Sequence, residues 1–135
     1  MKRIADTGLL KAALDADDDA HEWAAVQLRQ FAPFQTCDAV LVELAYLIGN
    51  PLPGLTLVLR GDLELHFDLS AEANRVYDLL SKYRDREMDL ADACIVRMVE
   101  MTPQSKVWTV DRADFRVYRS NRRHVIPCEF PPIKL

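Results

Sequence analysis

The sequence predicts an α/β fold: a three-layer α/β/α sandwich in which helices cover both faces of a mostly parallel sheet of four or five strands. The main observation is that short apolar runs alternate with longer segments of helical periodicity, as in chains that build parallel sheets. A length of 135 residues is sufficient to bury a substantial core. Half of the residues are hydrophobic and only four are glycine, which is a globular composition. We therefore expect one domain, residues 1–135.

The first half of the chain predicts two strands and four helices. Leucines at helical spacing follow Thr7, and the acids at 17–19 end that helix and favour the start of another, because acids suit a helix N-terminus. Asp38 is a plausible N-cap of the third helix, and Gly49-Asn50-Pro51 ends it. In chain order the predicted elements are a strand at 2–5, helices at 7–16 and 17–31, a strand at 34–37, and helices at 38–49 and 53–60.

The second half of the chain predicts the remaining strands and two further helices. Residues 63–67 alternate between apolar and polar side chains, which is typical of a strand. Ser70 is expected to cap a helix at 71–83, and Asp89 to cap the helix after it. A strand at 106–110 follows, and residues 124–126 are a candidate fifth strand.

Four acidic residues lie where a strand ends or near the start of a helix: Asp6, Glu43, Asp92 and Asp111. A carboxylate within an otherwise apolar segment is costly unless something compensates its charge. Sites in parallel sheets form beyond the carboxyl ends of the strands, where Asp6 and Asp111 fall. Each acid alone could be a helix cap or a solvated position. If all four share one edge of the sheet, a group of unpaired carboxylates calls for a divalent cation.

Other phosphate-handling designs fit this sequence less well. It contains neither a GxGxxG nor a GxxxxGK[ST] motif, so a nucleotide cradle is not expected. A phosphoaspartate phosphatase would have a second aspartate two residues after Asp6, where this chain has Gly8. No serine or cysteine of the sequence occupies a nucleophile elbow.

Charge and cysteine usage bear on partners and location. The net charge of −4 argues against nucleic acid, but five arginines lie between Arg112 and Arg123, and such a strip can hold a phosphate backbone. Tyr118 within the strip is expected to pack in the core or at its rim.

Three cysteines without a CxxC spacing suggest a reduced, cytoplasmic protein without a zinc site. With no apolar run near the roughly 20 residues of a membrane span, we expect no membrane partner.

Five local motifs, in this order and spacing, resemble PIN domains, and more narrowly the VapC-type toxins of bacterial toxin–antitoxin pairs. The resemblance extends over about residues 3 to 126. The motifs are Ile4–Leu10 (IADTGLL), Asp17–His21 (DDDAH), Val42–Leu44 (VEL), Leu90–Ala93 (LADA) and Trp108–Phe115 (WTVDRADF).

The resemblance implies a PIN-like fold and an endoribonuclease that depends on Mg²⁺ or Mn²⁺, with one or two ions. Its catalytic acids would be Asp6, Glu43, Asp92 and Asp111, of which Asp6, Asp92 and Asp111 would bind the metal. Thr7 would steady the site, and Asp89 and Asp114 would be accessory acids. Whether Asp89 or Asp92 is the closer ligand is left open. Arg112 and Arg116, next to the last acid, are expected to position the RNA backbone.

The resemblance also implies a protein partner. A cognate antitoxin would cover the site, and we expect it to lie on apolar surface around Leu9, Leu10, Ala13 and Trp23 while directing a basic side chain towards the acids. A homodimer is expected because most soluble oligomers are two-fold. The alternatives are a housekeeping PIN nuclease and a weakly catalytic PIN-like module that acts by binding proteins.

Overall fold

The computed structural model describes residues 1–133 and contains seven helices and seven strands in that range. A 3₁₀ turn at Arg84–Arg86 precedes the sixth helix. The helices are α1 (Thr7–Leu14), α2 (His21–Phe31), α3 (Asp38–Ile48), α4 (Leu52–Leu59), α5 (Leu69–Lys82), α6 (Leu90–Met101) and α7 (Arg112–Phe115). The strands are β1 (Lys2–Ala5), β2 (Phe34–Thr36), β3 (Leu63–Leu65), β4 (Ser105–Trp108), β5 (Arg119–Ser120), β6 (His124–Val125) and β7 (Cys128–Glu129).

Five of these strands form one parallel sheet in the order β3-β2-β1-β4-β7. β1 and β4 lie side by side at its centre, with Ala5 paired to Trp108. The Asp6 amide extends this ladder by donating to the Trp108 carbonyl at 3.1 Å. Because both strands end here, the residues that follow them meet at one edge of the sheet. The expected sheet of four or five parallel strands is thus confirmed.

Helix α6 is the most deeply embedded helix of the fold. Seven of its twelve residues are buried, so it is apolar on more than the single face of a surface helix. It packs against α5, α3 and the central strands. Its first turn is fixed by Asp89, whose side chain accepts a hydrogen bond from the Asp92 amide at 2.8 Å. This confirms the predicted cap and places Asp92 firmly at the sheet edge.

Two other predicted caps were wrong. The cap of α5 is Asp68, which accepts a hydrogen bond from the Ser70 amide at 3.0 Å, so Ser70 lies within the helix. A carboxylate acceptor also suits the positive end of the helix dipole better than a hydroxyl does. Cys37 occupies the N-cap position of α3, and Asp38 is its first residue.

The candidate strand at 124–126 is a strand in the structure, but it does not join the main sheet. Residues His124–Val125 pair antiparallel with β5 in a separate two-stranded sheet. Asn121 and Arg122 have positive φ angles of 46° and 74°, and this left-handed backbone forms the tight connection between β5 and β6. The fifth strand of the main sheet is β7, where the Pro127 carbonyl accepts from the Val107 amide at 2.9 Å.

Across residues 1–133, none of the helices has the length and apolar character needed to cross a membrane.

Candidate metal centre

Acidic side chains from four parts of the chain line one cleft at the carboxyl edge of β1 and β4. Its volume is about 330 Å³, which is room for a cation with several waters, since a water occupies roughly 30 Å³. All of the predicted catalytic and accessory residues therefore come together, although they are up to 108 residues apart in sequence (114 − 6). The lining residues are Asp6, Thr7, Gly8, Glu43, Leu47, Glu87, Asp89, Asp92, Val110, Asp111 and Asp114.

Three carboxylates form the tightest group within the cleft. Oxygen atoms of Asp92, Asp111 and Asp114 all lie within 4.8 Å of one another. The Asp111 side chain caps α7 by accepting from the Asp114 amide at 2.9 Å, so a single turn of helix holds both acids. The predicted ligand set had Asp6 where this group has Asp114, which the sequence had suggested only as an accessory acid.

Asp6 is the most deeply buried acid of the site, with 5% of its surface exposed. Its Oδ2 accepts a hydrogen bond from the Thr109 hydroxyl at 2.8 Å. Its Oδ1 is buried and has no hydrogen-bond partner among the residues described. Burial raises the pKa of Asp6 to about 6, against the opposing effects of the Thr109 hydroxyl and of the Thr7 amide, which lies nearby without forming a well-aligned hydrogen bond. A buried carboxylate oxygen without a partner is rare in folded proteins, and a bound cation or water in the cleft would satisfy it.

Three other acids of the cleft, Asp92, Glu43 and Asp111, also have raised pKa values. Burial, with the nearby charges of Asp6 and Asp89, raises the pKa of Asp92 to about 8. Burial is likewise the main reason that the pKa of Glu43 rises to about 7 and that the pKa of Asp111 is raised. Like charges at short range repel, and a divalent cation removes this repulsion. The oxygen-rich donor set fits Mg²⁺ or Mn²⁺.

Asp89, Asp92 and Thr7 differ in their contacts. Asp89 is exposed and its carboxylate is engaged as the cap of α6, whereas Asp92 is half-buried within the group of three acids. Of the two acids that the sequence left open, Asp92 is therefore the one that lies with the other candidate ligands. The Thr7 hydroxyl lowers the pKa of Glu43, but it forms no well-aligned hydrogen bond within residues 1–133.

Two contacts to the acids were not predicted from the sequence. The Tyr118 hydroxyl donates to Asp92 Oδ2 at 2.8 Å, and the tyrosine is fully buried, as a core position would be. Arg86 donates from Nε to Asp114 Oδ1 at 2.9 Å and from Nη2 to the Ala113 carbonyl at 3.0 Å. The sequence gives no periodicity that would place the 3₁₀ turn carrying Arg86 beside α7.

The two arginines predicted to bind RNA lie in different environments. The Arg112 guanidinium donates to the Pro131 carbonyl and lies over the Phe130 ring, with its Cζ 4.7 Å from the ring centroid. Arg112 therefore holds the C-terminal segment in place. Arg116 is exposed at the end of α7, just beyond Asp114.

Replacing Gly8 by alanine is expected to destabilise the protein by about 1–3 kcal/mol. A Cβ at this position would lie 2.6 Å from Val110 Cγ2, and valine has little rotameric freedom with which to move away. Urea denaturation measures the loss. Adding Val110→Ala to the Gly8→Ala variant removes the clashing atom and should recover part of it. If Gly8→Ala alone is as stable as wild type, the two segments that form this wall of the cleft are not closely packed.

Comparisons with known proteins agree with this architecture. No protein-family model matches the sequence, and no curated protein shows significant similarity to it. Among solved structures, the chain is similar to the sarcin-ricin loop cleaving toxin VapC20 of Mycobacterium tuberculosis, with a TM-score of 0.70 and 18% sequence identity over 83% of this chain and 92% of that chain. Since the identity is low, the likeness is one of fold. The chain therefore has the PIN-like α/β fold of this VapC toxin, as its motifs predicted.

Proposed function

We propose that this protein is an endoribonuclease that requires Mg²⁺ or Mn²⁺. The observation that carries the proposal is the unpartnered, buried Oδ1 of Asp6 in the same cleft as the close group of Asp92, Asp111 and Asp114. Asp6, Asp92 and Asp111 would hold the cation, with Asp114 beside them. A bound divalent ion would orient an attacking water on a phosphodiester and stabilise the charge on the leaving oxygen.

The remaining acid, Glu43, has a different proposed role. It faces the same cleft from α3 and is half-buried. With a pKa raised to about 7, its carboxyl group can bind or release a proton near neutral pH, as a general base requires. Thr7 and Asp89 line the same cleft and act on this pKa in opposite directions, since the Thr7 hydroxyl lowers it and the Asp89 carboxylate raises it.

The direct test is RNA cleavage by the purified protein. We expect cleavage in Mg²⁺ or Mn²⁺ and its loss in excess chelator, with activity returning when the cation is restored. A protein that binds Mn²⁺ in the cleft but leaves RNA intact would favour the alternative of a weakly catalytic module that binds proteins. Cleavage that persists in chelator would overturn the proposed chemistry.

Arg116 is proposed to position the RNA backbone, with Arg112 supporting the segment beside it. Replacing Arg116 by glutamine should weaken binding for all RNA sequences and reduce the slope of log affinity against log salt by about 1. Binding can be measured in the Asp6→Asn background, where cleavage is not expected. Arg29→Gln is a matched control, because Arg29 is exposed on α2 and does not line the cleft. An unchanged slope would make Arg116 a solvated surface residue.

We further propose that the nuclease is the toxin of a toxin–antitoxin pair. The expected docking surface needs correction, because Leu9 and Leu10 are fully buried in the core and no partner can reach them. Ala13 instead lines a surface groove between α1, α2 and α4, whose other lining residues are the apolar Leu14, Ala25, Leu28 and Leu57 and the charged Arg29, Arg60 and Asp62. Such a groove suits the apolar face of an amphipathic helix. A basic side chain of the same partner would enter the acidic cleft, where arginine pairs well with carboxylates.

Self-association is proposed on a separate surface. The helices α3 and α4 pack together and expose Val42, Tyr46, Leu52 and Leu59, and exposed apolar groups on neighbouring elements often mark an interface. Light scattering should give the mass of a dimer, and Tyr46→Lys should shift it to that of a monomer.

The toxin proposal is tested by expression in bacteria. Expression of the protein alone should stop growth, and co-expression with its antitoxin should restore growth. If expression is harmless while the protein still cleaves RNA, a housekeeping nuclease is the better assignment.

A further inference from the structure

Tyr118 is held rigidly beside the acidic cleft. Its side chain is fully buried between Tyr83 and Phe115, whose ring centroids lie 5.1 and 5.3 Å from its own in edge-on arrangements. Edge-to-face packing of this kind fixes the orientation of an aromatic ring. The position of the Tyr118 hydroxyl is therefore set by the core and not by solvent.

The hydroxyl uses this fixed position to bind one of the proposed metal ligands. It donates to Asp92 Oδ2 at 2.8 Å, while the Asp92 carboxylate also lies within the group of three acids formed with Asp111 and Asp114. A carboxylate at the start of a helix can rotate about its side-chain torsions. A strong donor on one oxygen restricts that rotation and directs the other oxygen away from the donor.

We propose that Tyr118 is a positioning residue that orients Asp92 for a divalent cation, an inference that rests on the proposed metal site. Groups that hydrogen-bond to metal ligands fix ligand orientation, and their loss typically weakens metal binding by about 10–100-fold. Tyr118 lies on the segment after α7, far from Asp92 in sequence, so the contact ties that segment to the first turn of α6. The packed ring holds the hydroxyl in place, and the hydroxyl orients the Asp92 carboxylate.

A purely structural role for the hydroxyl would give a different result. Tyr83 offers the matched comparison, because it is buried in the same aromatic group and its hydroxyl accepts a hydrogen bond from the Arg119 amide at 3.0 Å. Neither tyrosine lines the cleft itself, so the difference between them is the contact that the Tyr118 hydroxyl makes to Asp92. Tyr83→Phe and Tyr118→Phe each remove one buried hydroxyl and keep the ring, so both variants retain the packing of the core. Only Tyr118→Phe removes a contact to an acid of the cleft.

The test compares Mn²⁺ dissociation constants of the full chain by calorimetry or electron paramagnetic resonance, with melts in chelator as a check of folding. We expect Tyr118→Phe to weaken binding by about 10–100-fold and Tyr83→Phe to leave it within about twofold of wild type. Excess Mn²⁺ should restore RNA cleavage by Tyr118→Phe but not by Asp92→Asn. Equal affinities for Tyr118→Phe and wild type would overturn the inference alone. Equal losses of Mn²⁺ affinity in the two tyrosine variants would also overturn the inference. If the wild-type protein binds no Mn²⁺, both the inference and the proposed metal site are wrong.

Discussion

Replacing Asp6 by asparagine is expected to reduce RNA cleavage by at least about a hundredfold, while the metal-free protein stays folded. Asparagine has nearly the same shape and its oxygen can still accept from the Thr109 hydroxyl. It removes the negative charge from a position with 5% exposure, where burial raises the pKa to about 6. At about pH 8 the native state is strained by that charge, so the metal-free variant should be as stable as wild type or slightly more stable.

Two measurements check this prediction: cleavage assays in Mn²⁺, and urea denaturation in chelator. Asp17→Asn is the charge-matched control, because Asp17 is exposed in the α1–α2 connection and does not line the cleft. The control should cleave RNA like wild type. Full activity in Asp6→Asn would refute the metal-site assignment. A marked loss of stability of Asp6→Asn in chelator would show instead that the carboxylate stabilises the core.

The metal-free protein is expected to lose stability as pH rises from about 4 to about 8. Asp6, Glu43 and Asp92 have ordinary pKa values of 3.8, 4.5 and 3.8, and the native protein raises them to about 6, 7 and 8. In this range the native state binds more protons than the unfolded chain. The stabilising contribution of these groups is therefore complete below about pH 4 and is lost as pH passes through the raised values.

Denaturation midpoints in chelator across this pH range test the prediction. Mn²⁺ should recover stability most strongly at about pH 8, where all three acids are ionised and the cation binds the native state. The Asp6→Asn/Asp92→Asn double variant should show a much flatter pH dependence. Stability that is constant or rises between about pH 5 and 8 would contradict the electrostatic account of the cleft.

The convergence of the acids was predictable because it depends on where strands end. In a parallel sheet the residues after β1 and β4 must meet, so the positions of Asp6 and Asp111 in sequence were enough to place them together. Asp92 followed from the cap at Asp89, since a cap fixes which residues form the first turn of a helix. These are local patterns that the fold converts directly into geometry.

Other features depend on tertiary packing that local patterns do not specify. Leu9 and Leu10 have the spacing of an amphipathic helix, but the same spacing fits a surface stripe and a buried face, and α1 is in fact packed against α2 and α3. The contact from Tyr118 to Asp92 depends on how the chain after α7 returns to the core. β7 likewise becomes a strand through pairing with β4, since its two residues have little pattern of their own.

The cation in the acidic cleft can be located by diffraction at the manganese absorption edge, from crystals grown with Mn²⁺. We expect an anomalous peak inside the cleft, in contact with the carboxylates of Asp6, Asp92 and Asp111. No peak in the cleft at a saturating concentration of Mn²⁺, or a peak only at another surface of the protein, would contradict the proposed metal site.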